Sequence, residues 1–148
     1  MNEGGDYLHA SAVLVAEVAV LIRGASGSGK SQLALALMAE ARRRGLFTRL
    51  IGDDRVMVSV AGDHVLVRGH PSIEGWIEER GSGILSESTE PAGLVGCVVD
   101  LAVNPPRMPE EQDSHVLLRG VRVPAFALRS DCAPQEGARR VLAFLKWA

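Results

Sequence analysis

The chain contains one stretch, Gly24 to Ser31, whose residue types and spacing are suited to binding a phosphate. Its sequence, Gly-Ala-Ser-Gly-Ser-Gly-Lys-Ser, matches G-x-x-x-x-G-K-S/T at every fixed position. Glycines let the backbone fold closely around an anion, so that successive N–H groups point inward. The lysine reaches phosphate oxygens, and the serine hydroxyl after it is placed to bind Mg²⁺. The predicted nucleotide-binding residues are Gly24, Ala25, Ser26, Gly27, Ser28, Gly29, Lys30 and Ser31, hereafter the glycine loop.

The elements that must position the glycine loop are also predicted by the sequence. Ala12–Ile22 is rich in valine and predicts one or two strands, of which the second, Val18–Ile22, is strongly apolar and is expected to be central in the sheet. Ser31–Arg44 is rich in alanine and leucine and predicts a helix, with cations in its last turn and Gly45 just beyond. A strand before the loop and a helix after it disfavour a chance match, so we interpret the segment as a P-loop.

Two carboxylates follow the next predicted strand, Phe47–Ile51. Phosphoryl transfer needs acids near the γ-phosphate, one to help hold Mg²⁺ and one to orient or deprotonate the attacking group. Asp53 and Asp54 occupy the position at which such an acid is expected. Adjacent residues of a regular strand point to opposite faces, so both reach the loop only if the strand has already ended. The alternative is that they form a simple turn before the next strand.

The remaining pattern predicts a mixed α/β domain with more hairpin character than a purely parallel sheet. A hairpin is predicted at Arg55–Arg68, a short helix at Pro71–Glu79 and another apolar strand at Gly93–Val103. One or two strands around Pro124 are predicted at Leu117–Leu128, and a C-terminal amphipathic helix at Pro134–Trp147. We expect the mixed sheet to be flanked by these helices.

Length and composition favour one globular domain, 1–148, with a net charge of −2 and a pI of about 6.1. This charge excludes a generally basic protein that coats nucleic acid. The apolar runs are too short to span a bilayer and no signal peptide is visible, so the sequence predicts a soluble, cytoplasmic protein. The two cysteines lack metal-site spacing, and Cys97 is predicted to be a small buried side chain.

Four segments together resemble the catalytic domain of the HPr kinase/phosphorylase family, bacterial enzymes whose fold is related to phosphoenolpyruvate carboxykinase. The segments are Leu8–Val15 with its histidine, Leu21–Ser31, Ile51–Val56 with Asp-Asp-Arg-Val, and Ile77–Ile84 with Glu-x-Arg-Gly-x-Gly. The likeness is good from about Leu8 to Ile84 and weaker beyond. It implies a phosphoenolpyruvate carboxykinase-like fold and a serine protein kinase that uses ATP and Mg²⁺.

The resemblance also implies roles for individual residues. Lys30 and Ser31 would bind phosphate and Mg²⁺, and Glu78 would be a further Mg²⁺ ligand. One of Asp53 and Asp54 would be the base that accepts the proton of the substrate hydroxyl, and we slightly favour Asp54.

Two further residues gain a role only through the resemblance. His9 would lie beside the transferring phosphate, and Arg80 would lie near the site. By themselves, a lone histidine and a charged helix end are more often structural or solvent-facing. The implied substrate is a serine of HPr, the small phosphocarrier of the bacterial sugar phosphotransferase system. The family also implies a homo-hexamer. From the net charge and the short apolar runs, we expect no nucleic-acid or membrane partner.

Two departures from the family leave alternatives open. Its usual N-terminal domain is missing, so we expect a short form reduced to the catalytic module. The segment Gly120–Leu128 lacks the arginine that follows a proline in the family and supports the reverse reaction, so phosphorolysis of phosphoserine stays open. One alternative function is a regulatory module that senses ATP without transferring phosphate. Another is a small-molecule kinase, which the acidic Asn104–Ser114 loop disfavours because such enzymes need an arginine-rich lid.

Overall fold

The structure is a computed structural model that describes residues 6–70, 76–79, 83–86, 89–103 and 114–146. The described strands are β1 (Asp6–Leu8), β2 (Ala10–Val15), β3 (Val18–Gly24), β4 (Thr48–Gly52), β5 (Val56–Ala61), β6 (His64–Gly69), β7 (Trp76–Glu79), β8 (Gly83–Ser86), β9 (Ala92–Ala102), β10 (His115–Leu118) and β11 (Val121–Arg129). The described helices are α1 (Lys30–Arg43) and α2 (Pro134–Phe144). The prediction of a mixed α/β fold is therefore confirmed.

A single large sheet contains nine of the described strands, and its strand order decides where the predicted site lies. Strands β3, β9 and β11 run parallel, whereas β2 is antiparallel to both β3 and β4. The order across this part of the sheet is β4, β2, β3, β9, β11. The carboxyl ends of β4, β3, β9 and β11 therefore meet at one edge, together with the start of β2. We call this the carboxyl edge, and in α/β sheets ligands bind in the crevice outside it.

Alternation along β3 gives the sheet two buried faces. Val20 and Ile22 pack on the face covered by α1 and α2, and Ala19 and Leu21 pack on the opposite face with β5 and β6. Cys97 lies in the helix-side core, as predicted, and burial raises the pKa of its thiol to about 12. Among the described residues, no helix has both the length and the apolar character to cross a bilayer.

Most predicted elements are confirmed with small shifts at their ends. The valine-rich run is two strands, β2 and β3, and the predicted hairpin is β5–β6. Pro124 lies at the point where β11 changes its partner strand. It is opposite His115 of β10, and the next residue, Ala125, begins the pairing with β9. Proline has no backbone N–H to donate, which suits this break between the two pairings. Most of the acidic Asn104–Ser114 segment lies outside the described residues.

One element was predicted wrongly. In the described part of the segment that was expected to be a helix, Pro71–Glu79, the chain forms a strand: Trp76–Glu79 is β7 and pairs with β8 in an antiparallel ribbon. An aromatic and a β-branched residue favour a strand, and the pairing satisfies their backbone groups. Residues 71–75 lie outside the described residues.

Two glycines allow the end of β4 to pass close to the end of β6. A Cβ on Gly69 would lie 2.2 Å from the backbone oxygen of Ile51. A Cβ on Gly52 would lie 2.8 Å from Cγ1 of Val56 and 3.2 Å from Cα of Gly69. This close approach fixes the point at which β4 stops and the Asp53–Asp54 turn begins.

We expect Gly69→Ala to lower the free energy of unfolding by about 1–3 kcal/mol, because a backbone oxygen blocks the added methyl group. Urea denaturation would measure the change. The control is Gly62→Asn in the β5–β6 turn, where φ is 64° and no atom lies within 4 Å of an added Cβ. Asparagine tolerates this conformation, so the control should stay within about 0.5 kcal/mol of wild type. Equal stability of Gly69→Ala and wild type would contradict the close approach.

Candidate active site

The glycine loop connects β3 to α1 at the carboxyl edge. Gly27 and Gly29 have φ angles of 81° and 100°, a backbone region that residues with a Cβ rarely adopt. Gly29 is the N-cap of α1, and no described side chain caps its first turn. The backbone N–H groups of the first turn of α1 can therefore donate to an anion. Within the loop, the N–H of Ser28 already donates to the backbone oxygen of Ala25.

Lys30 is buried, with 5% of its surface exposed, and its ammonium group lies over the loop. Its Nζ donates to the backbone oxygens of Gly24 at 3.1 Å and Ala25 at 3.2 Å. The same nitrogen is 3.7 Å from Oδ1 of Asp54. A buried cation needs such partners, and they hold this one between the loop and the aspartate turn.

Asp53 connects the turn after β4 to the glycine loop. It is only 6% exposed, and the Ser31 hydroxyl lies 2.8 Å from Oδ1 and 2.9 Å from Oδ2 of its carboxylate. Ser11 also donates its hydroxyl to Oδ1 of Asp53, at 2.7 Å. Hydrogen bonds to an ionised acceptor are among the stronger ones in proteins, so this cluster fixes the carboxylate beside the loop.

Asp54 lies beside the loop in a different environment. Because β4 ends at Gly52, Asp53 and Asp54 follow it in a bend, and both carboxylates lie next to loop residues. The side chain of Asp54 is 65% exposed and faces Lys30. Its φ of 65° is a conformation that aspartate tolerates better than most residues. The turn therefore presents one buried and one accessible carboxylate.

Ser11 is the site residue to which the sequence analysis gave no role. Its hydroxyl is fully buried, donates to Asp53 and accepts the backbone N–H of Asp54 at 3.2 Å. A register shift in the pairing of β2 with β4 occurs just after Ala12, next to this contact. A hydroxyl at a buried position of an otherwise apolar strand is the signal that could have identified it.

The other predicted residues are not brought into this cluster by described contacts. His9 is exposed and lies at the carboxyl edge, next to the start of β2. Glu78 belongs to β7, which lies against α1, but its side chain lies outside what the structure describes. Arg80 also lies outside the described residues. The lysine, the serine and the two aspartates are thus the predicted residues that meet.

The donor set around Ser31 fits Mg²⁺. A hydroxyl and a carboxylate converge there, and Mg²⁺ prefers oxygen ligands, binding through one or two carboxylates together with substrate phosphates. Within the described part of the chain, no three His, Cys, Asp or Glu side chains form a metal cluster. Ser31 and Asp53 are therefore the described residues that would hold the ion.

A double-mutant cycle would test whether Ser11 supports the buried carboxylate. We expect Ser11→Ala and Asp53→Ala to be coupled by about 1–3 kcal/mol in urea denaturation, because each removes the same hydrogen bond. The control cycle pairs Ser11→Ala with Asp54→Asn, which keeps the backbone N–H that Ser11 accepts. Its coupling should stay within about 0.5 kcal/mol. Equal coupling in both cycles would contradict a specific bond from Ser11 to Asp53.

Comparison with known proteins relates this geometry to a family of kinases. The family described as HPr Serine kinase C-terminal domain matches residues 5–90. The HPr kinase/phosphorylase of Mycoplasma mycoides subsp. mycoides is 40% identical over 76 residues, which are 51% of this chain and 22% of that protein. The HPr kinase/phosphorylase of Limosilactobacillus reuteri is 46% identical over 83 residues, 55% of this chain and 24% of that protein.

A solved structure shows how far the fold extends. The HPr(Ser) kinase/phosphatase from Coxiella burnetii has a TM-score of 0.71 and 22% sequence identity, covering 95% of this chain and 99% of that one. At this identity the likeness shows a shared fold. The chain matches less than a quarter of the length of the two curated relatives above. Because the family match covers more than half of its residues, the chain belongs to the HPr serine kinase C-terminal domain family.

Proposed function

We propose that this chain transfers the γ-phosphoryl group of ATP to a serine of the phosphocarrier HPr, in the presence of Mg²⁺. One observation supports this most directly: the glycine loop has a buried carboxylate hydrogen-bonded to Ser31 and an exposed carboxylate facing Lys30. Phosphoryl transfer needs this division, because one acid helps hold the metal ion and the other receives a proton. Membership of the family favours HPr as the protein substrate.

The glycine loop and the side chains next to it would hold the phosphates. The backbone N–H groups at the start of α1 and the ammonium group of Lys30 would bind the β- and γ-phosphates. Ser31 and Asp53 would hold Mg²⁺, with Glu78 as the further ligand implied by the family. When bound, the ion supplies positive charge that neutralises the phosphate oxygens as the transfer proceeds.

Asp54 is the proposed base. The serine hydroxyl of the substrate gives its proton to the Asp54 carboxylate while its oxygen forms a bond to the γ-phosphorus. The bond from that phosphorus to the bridging oxygen of ADP breaks, and ADP keeps the electron pair. Asp54 suits this role because its carboxylate is 65% exposed, so a protein substrate can reach it, whereas Asp53 is enclosed by two hydroxyls. Lys30, 3.7 Å from Asp54, lies where it can stabilise the phosphate charge.

The remaining predictions complete the proposal. His9, exposed at the carboxyl edge, would contact the transferring phosphate, and Arg80 would lie near it. The nature of the substrate implies action in the cytoplasm, and the family resemblance implies a phosphoenolpyruvate carboxykinase-like fold and a homo-hexamer. Phosphorolysis stays open, because Gly120–Leu128 lacks the arginine that supports it in the family. Arg129, the arginine that follows this segment, donates two hydrogen bonds of 3.0 Å to the carboxylate of Asp131.

We expect Asp54→Asn to lower the rate of label transfer from γ-³²P-ATP to HPr by about a hundredfold or more, because the proton acceptor is lost. Its Kd for ATP should change by less than about threefold, since the phosphate-binding groups are kept. The control is Asp63→Asn, an exposed aspartate at the far end of the β5–β6 hairpin, which should transfer normally. Normal transfer by Asp54→Asn together with failure of Asp53→Asn would reverse the assignment of the base.

Lys30→Ala should weaken ATP binding and lower transfer together, because the lysine contacts phosphate in both the bound substrate and the transition state. We expect a loss of about a hundredfold in transfer at subsaturating ATP, with Kd measured by calorimetry. Unchanged ATP affinity would mean that the glycine loop does not bind the nucleotide. Clear ATP binding by wild type without transfer to HPr would instead support the regulatory, ATP-sensing alternative.

A further inference from the structure

A cavity of about 170 Å³ lies at the carboxyl edge between the glycine loop and the start of α2. One wall is the loop backbone at Gly27 and Gly29. The opposite wall combines Leu101 at the end of β9, Leu128 at the end of β11 and Pro134 in the first turn of α2. The cavity therefore shares Gly27, Ser28 and Gly29 with the phosphate-binding loop, whereas Lys30, Ser31 and the two aspartates do not line it.

The strand order fixes the position of the cavity relative to the carboxylates. Asp53 and Asp54 follow β4, which lies on one side of β3, whereas the cavity is bounded by the ends of β9 and β11 on the other side. The glycine loop follows β3 and lies between them. A nucleotide whose γ-phosphate lies beside the aspartates, and whose other end crosses the loop, would reach this cavity.

The chemistry of the cavity suits a flat heteroaromatic ring. Leu33, Leu101 and Leu128 offer apolar surface, and Gln32 and Ser130 add polar side chains to the lining. An apolar cavity of about 150 Å³ takes up a benzene ring. This cavity has a similar volume, its lining is polar as well as apolar, and it is partly open to solvent. Pockets for cofactors typically combine such apolar walls with a few polar groups that fix orientation.

We propose that this cavity binds the purine base of the nucleotide whose phosphates lie in the glycine loop. The inference rests on the proposed function for its nucleotide, but it does not require transfer to HPr. It gives β9, β11 and α2 a part in nucleotide binding. These three elements lie outside the four segments on which the family resemblance rests. The base is held by shape and apolar contact, and the phosphates are held by charge and backbone N–H groups.

Cys132 gives a direct probe, because its partly exposed side chain lines the cavity. The other cysteine, Cys97, is buried, and burial raises the pKa of its thiol to about 12, so N-ethylmaleimide at pH 7.5 should label Cys132 selectively. With Mg²⁺ present, saturating ATP or ADP should slow labelling by about fivefold or more, measured by intact mass spectrometry. Tripolyphosphate, which lacks the base, should leave the rate within about twofold.

A cavity-filling variant provides an independent measurement. Ala133 lines the cavity and is exposed at the N-cap of α2, so Ala133→Phe should fill the space without disturbing the core. We expect it to raise the Kd of ADP about tenfold or more and to leave that of tripolyphosphate unchanged. The matched control is Gln135→Phe, an exposed residue two positions further along that does not line the cavity. It should bind both ligands like wild type, and circular dichroism would verify that both variants fold.

The outcomes separate the two proposals. If tripolyphosphate protects Cys132 as well as ADP does, or if Ala133→Phe binds ADP like wild type, the base lies elsewhere and this inference is overturned while the phosphate site stands. If neither ADP nor tripolyphosphate binds, the nucleotide site is wrong and the proposed function is overturned as well. Protection by ADP with no transfer to HPr would support the cavity and contradict the kinase proposal alone.

Discussion

The buried carboxylate of Asp53 is the interaction on which the site depends. A charge that is only 6% exposed must be compensated, and here two hydroxyls from distant parts of the chain compensate it: Ser11 at the start of β2 and Ser31 at the start of α1. Each hydrogen bond to a charged group contributes about 1.5–3 kcal/mol, and leaving such a group unsatisfied costs more. The three segments are therefore held together by the need to satisfy one anion. The glycine loop, strand β2 and the aspartate turn cannot move independently without exposing the Asp53 carboxylate.

The same turn shows how one short sequence produces two different carboxylates. Strand β4 stops at Gly52 because the end of β6 crosses it at a distance that only glycine allows. The chain then bends, and Asp54 takes a left-handed conformation with its N–H bonded to Ser11. Asp53 is directed into the cluster and Asp54 toward solvent and Lys30. Backbone geometry, rather than any difference between the two side chains, separates a buried acid from an accessible one.

The sequence predicted the parts of the site that depend on local pattern. The glycine loop, its flanking strand and helix, and the aspartate pair all follow from residues close together in the chain. Ser11 was not predicted, because its bond to Asp53 joins residues 42 positions apart and arises from the pairing of β2 with β4. The strand β7 was mistaken for a helix because its pairing with β8 is not visible in four residues. The catalytic and metal-binding roles of all the site residues stay predictions, and those of His9, Glu78 and Arg80 came from the family resemblance alone.

The two sides of the glycine loop place different demands on sequence. The aspartate side needs specific groups at specific atoms, since a carboxylate, a hydroxyl and an ammonium cannot replace one another, and this side lies within the family match at residues 5–90. The cavity side is built largely from leucines, a proline and loop backbone, much of it from the ends of β9 and β11 and the start of α2, beyond that match. Apolar walls of suitable volume can be built from many sequences. A substitution that keeps the volume of the cavity walls should therefore be tolerated more readily than a change of either carboxylate.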